Sequence, residues 1–281
     1  MKSLKVPTYY YQQFDADFSK DVPAEGFGGW KKADLEINPE HTALVVMRAW
    51  DCGTREKYPG WHKTVEYFPR ASDICRNVFP ELLRTVRNSK LKLFHVAVPG
   101  EYLNKYPGYE AAVKLTNEEN KLKNGCECKF HKIIDREEEI NKLWTFWSDN
   151  VVPGAHNKED VQLGFKNLDF PDGAKPQDNE GIAVNADQLF ALCKKEGVNH
   201  LIYVGFAING CLLVSTGGIV DMVRRGMMCS TIRQAVTAIE NKETARNELA
   251  KELGLWFVSI ISGFVYDIDD FIKALKTYSE E

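Results

Sequence analysis

The stretch VGFAINGCLLVSTGG, residues 204–218, contains the side chain best suited to covalent chemistry, that of Cys211. It follows the apolar run LIYV, which predicts a buried strand, and it leads into a segment with the composition of a helix. Because the unpaired N–H groups at a helix start favour an anion, a thiol there is expected to be a good nucleophile. The same groups suit an oxyanion, which makes Ala207, Asn209 and Gly210 candidate substrate-binding residues. Free cysteines also commonly just pack in cores, so position alone leaves both interpretations open.

The elements that must position this cysteine alternate between strand-like and helix-like segments. Continuous apolar runs at 42–50, 91–99 and 201–206 are typical of buried parallel strands, and helical spacing recurs at 70–88 and 186–197. Further along, the pattern predicts a helix at 210–226, the strand MMCSTI, a helix at 237–253, the strand LWFVSII and a helix at 267–276. This alternation predicts an α/β fold of three layers, doubly wound and Rossmann-like, in which ligands bind beyond the carboxyl ends of the strands.

The remaining segments are predicted to surround one domain. Residues 1–40 are aromatic, charged and poorly periodic, so we expect an N-terminal extended arm that wraps the domain or a neighbouring subunit. Residues 41–281 are expected to form a single domain. An irregular insertion at about 100–180, with a helix at EEEINKLWTFW, is expected to cover a site, because long irregular segments within a compact domain are usually functional.

Composition excludes several classes of function. The chain has 281 residues, of which 44% are apolar, and a net charge of -4 with no basic tract, which argues against nucleic acid as a partner. The start MKSLKVPTYYYQQFDADF has no secretory h-region, and no apolar run is long enough to cross a membrane. Seven scattered cysteines favour a reduced, cytoplasmic location.

The run from Ala186 to Ala235 resembles the isochorismatase-like cysteine hydrolases, a superfamily that includes nicotinamidases and N-carbamoylsarcosine amidase. The motif Gly-Phe-Ala-x-Asn-x-Cys-Leu between a strand and a helix carries the resemblance, and TALVVMRAWD and LKLFHVAVPG resemble the family's first two strands. The resemblance implies a six-stranded parallel sheet, a cis peptide close to Phe206-Ala207 and a homo-oligomer. It also implies hydrolysis of a C–N bond of a small amide by a Cys, a Lys and an Asp.

Two of the three family positions depart from that pattern. The place of the Asp, which takes the thiol proton in the family, falls on Met47 or Arg48. Asp51 is the nearest carboxylate and would serve only if the strand end is rearranged, whereas Arg48 would favour a thiolate without removing its proton. Lys175 precedes the 186–197 helix as the family Lys does, but at a longer spacing, and most lysines are simply solvated. Arg48 and Trp50 are further candidates for contact with a substrate.

The sequence gives weaker evidence for a metal site, a cofactor site or an aromatic ligand site. His62 lacks the Asp-x-His spacing expected of the family's metal, and Cys126, Cys128 and His131 lack a nearby second pair of zinc ligands, so we predict no metal. No glycine-rich phosphate loop is visible and no cofactor is predicted. The tryptophans Trp50, Trp61, Trp144 and Trp147 suit either ligand stacking or core packing.

Two function hypotheses therefore remain. The first is a cysteine hydrolase that acts on a small amide through Cys211, Lys175 and Asp51. The second is a catalytically impaired relative that binds a small ligand or acts as an oligomeric scaffold. Carboxylate and lysine groups at the Cys211 sulfur would favour the first, and an apolar or arginine-lined pocket would favour the second.

Overall fold

The computed structural model describes residues 3–51, 53–123, 138–152 and 154–280 of the chain. Its centre is one sheet of eight strands in the order β2-β1-β8-β7-β6-β3-β4-β5. The strands are β1 Leu4–Gln12, β2 Gly29–Ile37, β3 Thr42–Met47, β4 Lys92–Val96, β5 Gly181–Ala183, β6 His200–Phe206, β7 Met228–Thr237 and β8 Val265–Tyr266. The predicted α/β class is thus confirmed, whereas the predicted total of six strands is wrong.

The two additional strands come from the region predicted to be an arm. Strands β1 and β2 form an antiparallel hairpin, and β1 pairs antiparallel with β8 at the edge of the sheet. The other strands pair in parallel with one another. A run such as LKVPTYYYQ alternates only weakly, so its partner is fixed by long-range pairing that composition does not reveal. Contact of this region with a second subunit, and a homo-oligomer, remain predictions.

Helices cover both faces of the sheet, as a doubly wound fold requires. They are α1 Pro59–Thr64, α2 Phe68–Asp73, α3 Phe79–Arg87, α4 Pro107–Lys123, α5 Glu138–Asn150, α6 Lys158–Lys166, α7 Ala186–Glu196, α8 Ile219–Val223, α9 Leu249–Ile261 and α10 Ile268–Glu280. Side chains of successive strand residues point to opposite faces, so Val45 and Met47 join one core and Leu44 and Val46 the other. Because both faces of β3 are buried, its sequence is a continuous apolar run.

The segment LWFVSII was predicted as a strand, and the structure corrects this to the second half of α9. Gly254, Leu255 and Val258 are its buried residues, and their spacing of one, three and four positions suits one face of a helix. Phe257 is 42% exposed. The β-branched and aromatic residues of this stretch favour a strand locally, but burial of one helical face overrides that preference.

The irregular region at 100–180 contains α4, α5 and α6, and EEEINKLWTFW is largely α5, as predicted. Cys126, Cys128 and His131 lie outside the described residues. In the part of the chain that the structure describes, no helix combines the length and apolar composition needed to cross a bilayer.

Candidate functional site

The Cys211 turn begins where β6 ends, next to β3 and β7. The peptide bond between Phe206 and Ala207 is cis, as the resemblance predicts. A five-residue π-helical turn, Ile208–Leu212, follows and carries Cys211, whose side chain is half-buried against the core. The N–H of Leu212 donates to the carbonyl of Ala207 at 3.0 Å. The thiol therefore lies at the carboxyl edge of the sheet, where an α/β fold binds its ligands.

The helix predicted at 210–226 is interrupted, which corrects the sequence-based picture of the Cys211 surroundings. After the π-helical turn the chain bends at Gly217, whose φ is +78°, and α8 has only five residues. A side chain at Gly218 would meet the carbonyl oxygens of Leu212 and Ser215 at 2.8 Å. Because a macrodipole needs an aligned helix, Cys211 does not stand at the start of a long one.

The side chain of Asn209 joins this turn to the loop after β7. The side-chain amide of Asn209 donates to the carbonyl of Ile239 at 2.8 Å, and its oxygen accepts the Ile239 N–H at 2.9 Å. An added Cβ at Gly210 would approach Ile239 Cδ1 at 3.3 Å. The structure therefore gives Asn209 two bonds that fix the position of the turn.

Arg48 occupies the first position after β3. Met47 pairs with Gly205 of β6 and with Val96 of β4, so Arg48 lies beside the end of β6. Its N–H donates to the Val96 carbonyl at 2.7 Å, and its φ of +54° is unusual for a residue with a side chain. Its side chain is half-buried, and its Nε has no hydrogen-bond partner among the described residues. This cation stands at one of the two positions where the resemblance places the Asp.

Asp51 bonds within its own loop. Its Oδ1 accepts the N–H of Gly53 at 2.7 Å, and its main chain exchanges two hydrogen bonds with Asp169, at 2.8 and 2.9 Å. The carboxylate of Asp51 contributes to a raised pKa of the Cys75 thiol, about 12, for which burial is the main cause. Its preceding neighbour Trp50 packs edge-to-face on Trp61, with ring centroids 5.0 Å apart.

Lys175 lies before β5, in a short exposed loop. Its Nζ is 2.7 Å from Oδ1 of Asp172, and this bond is the main reason that its pKa is raised. Asp51 adds a smaller electrostatic contribution of the same sign. The structure thus brings Lys175 into the electrostatic range of Asp51, while its direct partner is Asp172.

A cavity of about 850 Å³ adjoins the Cys211 turn. Its lining includes Trp50, Asp51, Tyr67, Cys75 and Phe206, the residue before the turn, together with the cationic side chains of Arg76, Arg84 and Arg87. Burial raises the pKa of Tyr67 well above its ordinary value, and the Cys211 thiol is the next cause. Among the described residues with a shifted pKa, Tyr67 is the one whose pKa the Cys211 thiol helps to raise. Sequence reasoning missed both Tyr67 and Cys75, because Cys75 lies in the 70–88 stretch, which carries only a helical signal, and Tyr67 lies just before it.

Sequence reasoning also missed a polar cluster at β4, which consists of His95, Glu180 and Arg87. His95 is fully buried, and its Nε2 is 2.9 Å from Oε2 of Glu180. Arg87 pairs with the same carboxylate and also donates to the Lys175 carbonyl at 3.0 Å. Burial alone would raise the pKa of Glu180, but the hydrogen bonds from His95 and Arg87 bring it to about 2. This cluster ties β4 to the loop before β5.

The described residues contain no group of three or more His, Cys, Asp or Glu side chains arranged to hold a metal. His62 instead packs on Phe68, with ring centroids 4.0 Å apart, and its Nε2 lies 3.2 Å from the carbonyl oxygen of Gly53. Both contacts are of the kind that hold a loop in place.

Comparison with known proteins yields structural neighbours only. No protein-family model matches the sequence, and no curated protein sequence matches it. Similar solved structures include a cysteine hydrolase from Pseudomonas syringae pv. phaseolicola 1448A, with a TM-score of 0.46 and 14% identity over 86% of this chain and 95% of that one. An isochorismatase-like hydrolase from Alkaliphilus metalliredigens has a TM-score of 0.43 and 15% identity over 83% and 98% of the two chains.

A third structural neighbour is named as a different kind of enzyme. The MAR1 ribonuclease from Caenorhabditis elegans has a TM-score of 0.39 and 13% identity over 85% of this chain and 83% of that one. With identities of 13–15%, the roles of residues in this chain have to be argued from its own geometry.

Proposed function

We propose that the protein binds a small organic molecule at the carboxyl edge of its parallel sheet and does not hydrolyse it through Cys211. The observation that carries this proposal is Arg48. It follows β3 directly, beside the end of β6, at one of the two positions (the other is Met47) where the resemblance places the carboxylate of a cysteine hydrolase. A guanidinium stays protonated in proteins, so it can bind an anion but cannot accept the thiol proton.

The partners of Asp51 and Lys175 support the same proposal. A general base must come within hydrogen-bond reach of the proton that it removes. The Asp51 carboxylate is instead bonded to Gly53, and the Lys175 ammonium to Asp172. The interrupted helix after Cys211 is a third point, because it removes the long dipole expected to stabilise a thiolate.

Cysteine hydrolysis of a C–N bond is the second candidate function, and one observation favours it. Asp51 lines the same cavity as Tyr67, the residue whose hydroxyl is influenced by the Cys211 thiol. In this alternative Asp51 takes the thiol proton, the sulfur attacks an amide carbonyl, the amine leaves with that proton, and water then releases the acyl group. Ala207, Asn209 and Gly210 would line the oxyanion position, and Lys175 would assist.

Amide turnover distinguishes the two candidates. The full chain and its Cys211→Ala variant are incubated with a panel of small primary amides that includes nicotinamide. Ammonia release and the intact protein mass, which would show an acyl group on Cys211, are then measured. We expect the same background release from both proteins and no adduct. Release by the wild type that Cys211→Ala abolishes would overturn the proposal in favour of hydrolysis.

A further inference from the structure

Three buried hydrogen-bond donors without acceptors lie near the end of β3. In the described part of the chain, six buried side-chain polar atoms have no partner, and Arg48 Nε, Tyr58 OH and Trp61 Nε1 are three of them. Tyr58 is 0% exposed and Trp61 is 3% exposed. Because a buried donor without an acceptor is costly, three in one region point to an acceptor that binds there.

One group of aromatic side chains joins these donors. Tyr58 and Trp61, at the start of α1, belong to a cluster that also contains Trp50 and Tyr102, which we call the aromatic cluster. Arg48 lies two residues before Trp50. Its charge acts on the Tyr102 hydroxyl, where it partly offsets the rise in pKa that burial causes. The guanidinium and the two neutral donors therefore border the same aromatic cluster.

Two cations, Arg48 and Lys57, border the aromatic cluster. The Nζ of Lys57 lies 5.2 Å from the centre of the Tyr58 ring. Three carboxylates lie in the same region, and each accepts hydrogen bonds from the protein; that of Asp51 accepts the N–H of Gly53. Asp169, which acts on Tyr102, is paired with Lys105 and accepts the Tyr106 hydroxyl at 2.9 Å. Asp160 accepts the main-chain N–H of Trp61.

We propose that Arg48, Tyr58 and Trp61 bind the carboxylate of a planar organic acid at the carboxyl edge of the sheet. The proposal rests on the proposed function and names the class of its ligand. A guanidinium presents paired N–H donors that match the two oxygens of a carboxylate, and the tyrosine and tryptophan donors fit its remaining lone pairs. The ring of Trp50, which packs edge-to-face on Trp61 and lines the neighbouring cavity, provides an apolar wall for a flat ligand body.

Calorimetric titration of the full chain with benzoate tests this site, with benzamide as the uncharged probe of the same shape. We expect benzoate to bind more tightly than benzamide. Arg48→Gln and Tyr58→Phe should each weaken benzoate binding by about tenfold or more, since each removes a donor to a charged group. Arg225→Gln is the matched control, because Arg225 pairs with Asp187 and lies just before the start of β7. It should leave benzoate binding unchanged.

The stability of the ligand-free protein gives a second readout. The Tyr58 hydroxyl has no partner, so Tyr58→Phe should leave the melting temperature unchanged or raise it. The Tyr102 hydroxyl donates to the Val98 carbonyl at 2.8 Å, so Tyr102→Phe should lower it. Equal losses in the two variants would show that Tyr58 is bonded without a ligand and would overturn the proposal.

The remaining outcomes are equally decisive. Absence of benzoate binding to the wild type, or unchanged binding in Arg48→Gln, overturns the proposal. If benzoate binding depends on Arg48 and Tyr58 while Cys211 also supports amide turnover, the anion site stands and the non-hydrolytic function falls. If neither binding nor turnover is seen, the anion site fails and the absence of hydrolysis stands.

Discussion

Two half-buried arginines, one at the end of α3 and one at the end of β3, have opposite surroundings. Arg87, at the end of α3, donates to both oxygens of Glu180, and Glu180 also bonds to the buried His95. Arg48, at the end of β3, is half-buried as well, yet its Nε has no partner among the described residues. The first arginine is held within the fold, whereas the second is free to bind something that the fold does not supply.

The difference is whether a partly buried charge is paired within the protein or is left available to a ligand. Charges taken out of water are normally paired, because an unpaired buried charge is expensive. The Arg87 cluster meets that requirement internally and so contributes to stability. Arg48 does not, and its position beside the Cys211 turn suggests that a ligand completes its bonding.

Removal of the Glu180 carboxylate should have the largest effect. Glu180→Ala leaves the Arg87 charge and the His95 ring without their shared partner, so the free energy of unfolding should fall by about 3 kcal/mol. Urea denaturation measures this change. Glu180→Gln keeps the shape and one acceptor and should cost clearly less. If both variants are as stable as the wild type, the cluster does not hold β4 to the loop before β5.

The same cluster predicts a dependence of stability on pH. The pKa of Glu180 lies at about 2 in the folded protein, below its ordinary value of 4.5, so its contribution is present above pH 4.5 and is lost as the pH falls towards 2. Burial also lowers the pKa of His95 below 6.5, so stability should already decline below that pH. Between pH 7 and pH 3, the loss of unfolding free energy that is due to Glu180 should be about 2 kcal/mol. Urea midpoints measured from pH 7 to 3 should fall less for Glu180→Gln, and parallel curves would contradict this.

Replacement of Arg48 should have the smallest effect on stability. Arg48→Met removes an unpaired donor and keeps an apolar side chain, so the free energy of unfolding should be unchanged or higher, within about 1 kcal/mol. Arg87→Met is the matched comparison and should be far less stable. If urea denaturation shows that both variants lose the same free energy of unfolding, the proposed contrast between the two arginines is wrong.

Four of the parallel strands, β3, β4, β6 and β7, were predictable from sequence because they contain apolar runs, whereas the short strands β5 and β8 were not predicted. The run TALVVM is buried throughout, as is HLIYVGF, and the helix before β6 ends at a clear boundary, Gly197, whereas the helices predicted at 210–226 and 237–253 do not match the structure. The hairpin β1–β2 was not predictable, since its partners are defined by pairing with a strand from the other end of the chain. The segment LWFVSII was mispredicted because its residues favour a strand locally.

The candidate site was predictable only in part. The sequence indicated the Cys211 turn and the cation at the end of β3. The unpaired state of the Tyr58 and Trp61 donors is a tertiary property, because it depends on which acceptors the folded chain fails to bring near them. The partners of Asp51 and Lys175 are likewise set by loop geometry, which spacing along the chain does not encode.

The rate of Cys211 alkylation tests the central claim, that this thiol lacks a base, most directly. The full chain is treated with iodoacetamide at pH 7, and peptide mapping by mass spectrometry follows Cys211 separately from the buried Cys75, Cys193 and Cys229. We predict that the rate at Cys211, compared with that of a free model thiol, is the same in the wild type and in Asp51→Asn, because a neighbouring cation can favour the thiolate but no carboxylate removes its proton. A rate about tenfold higher or more, lost on Asp51→Asn, would show an activated nucleophile and contradict the account.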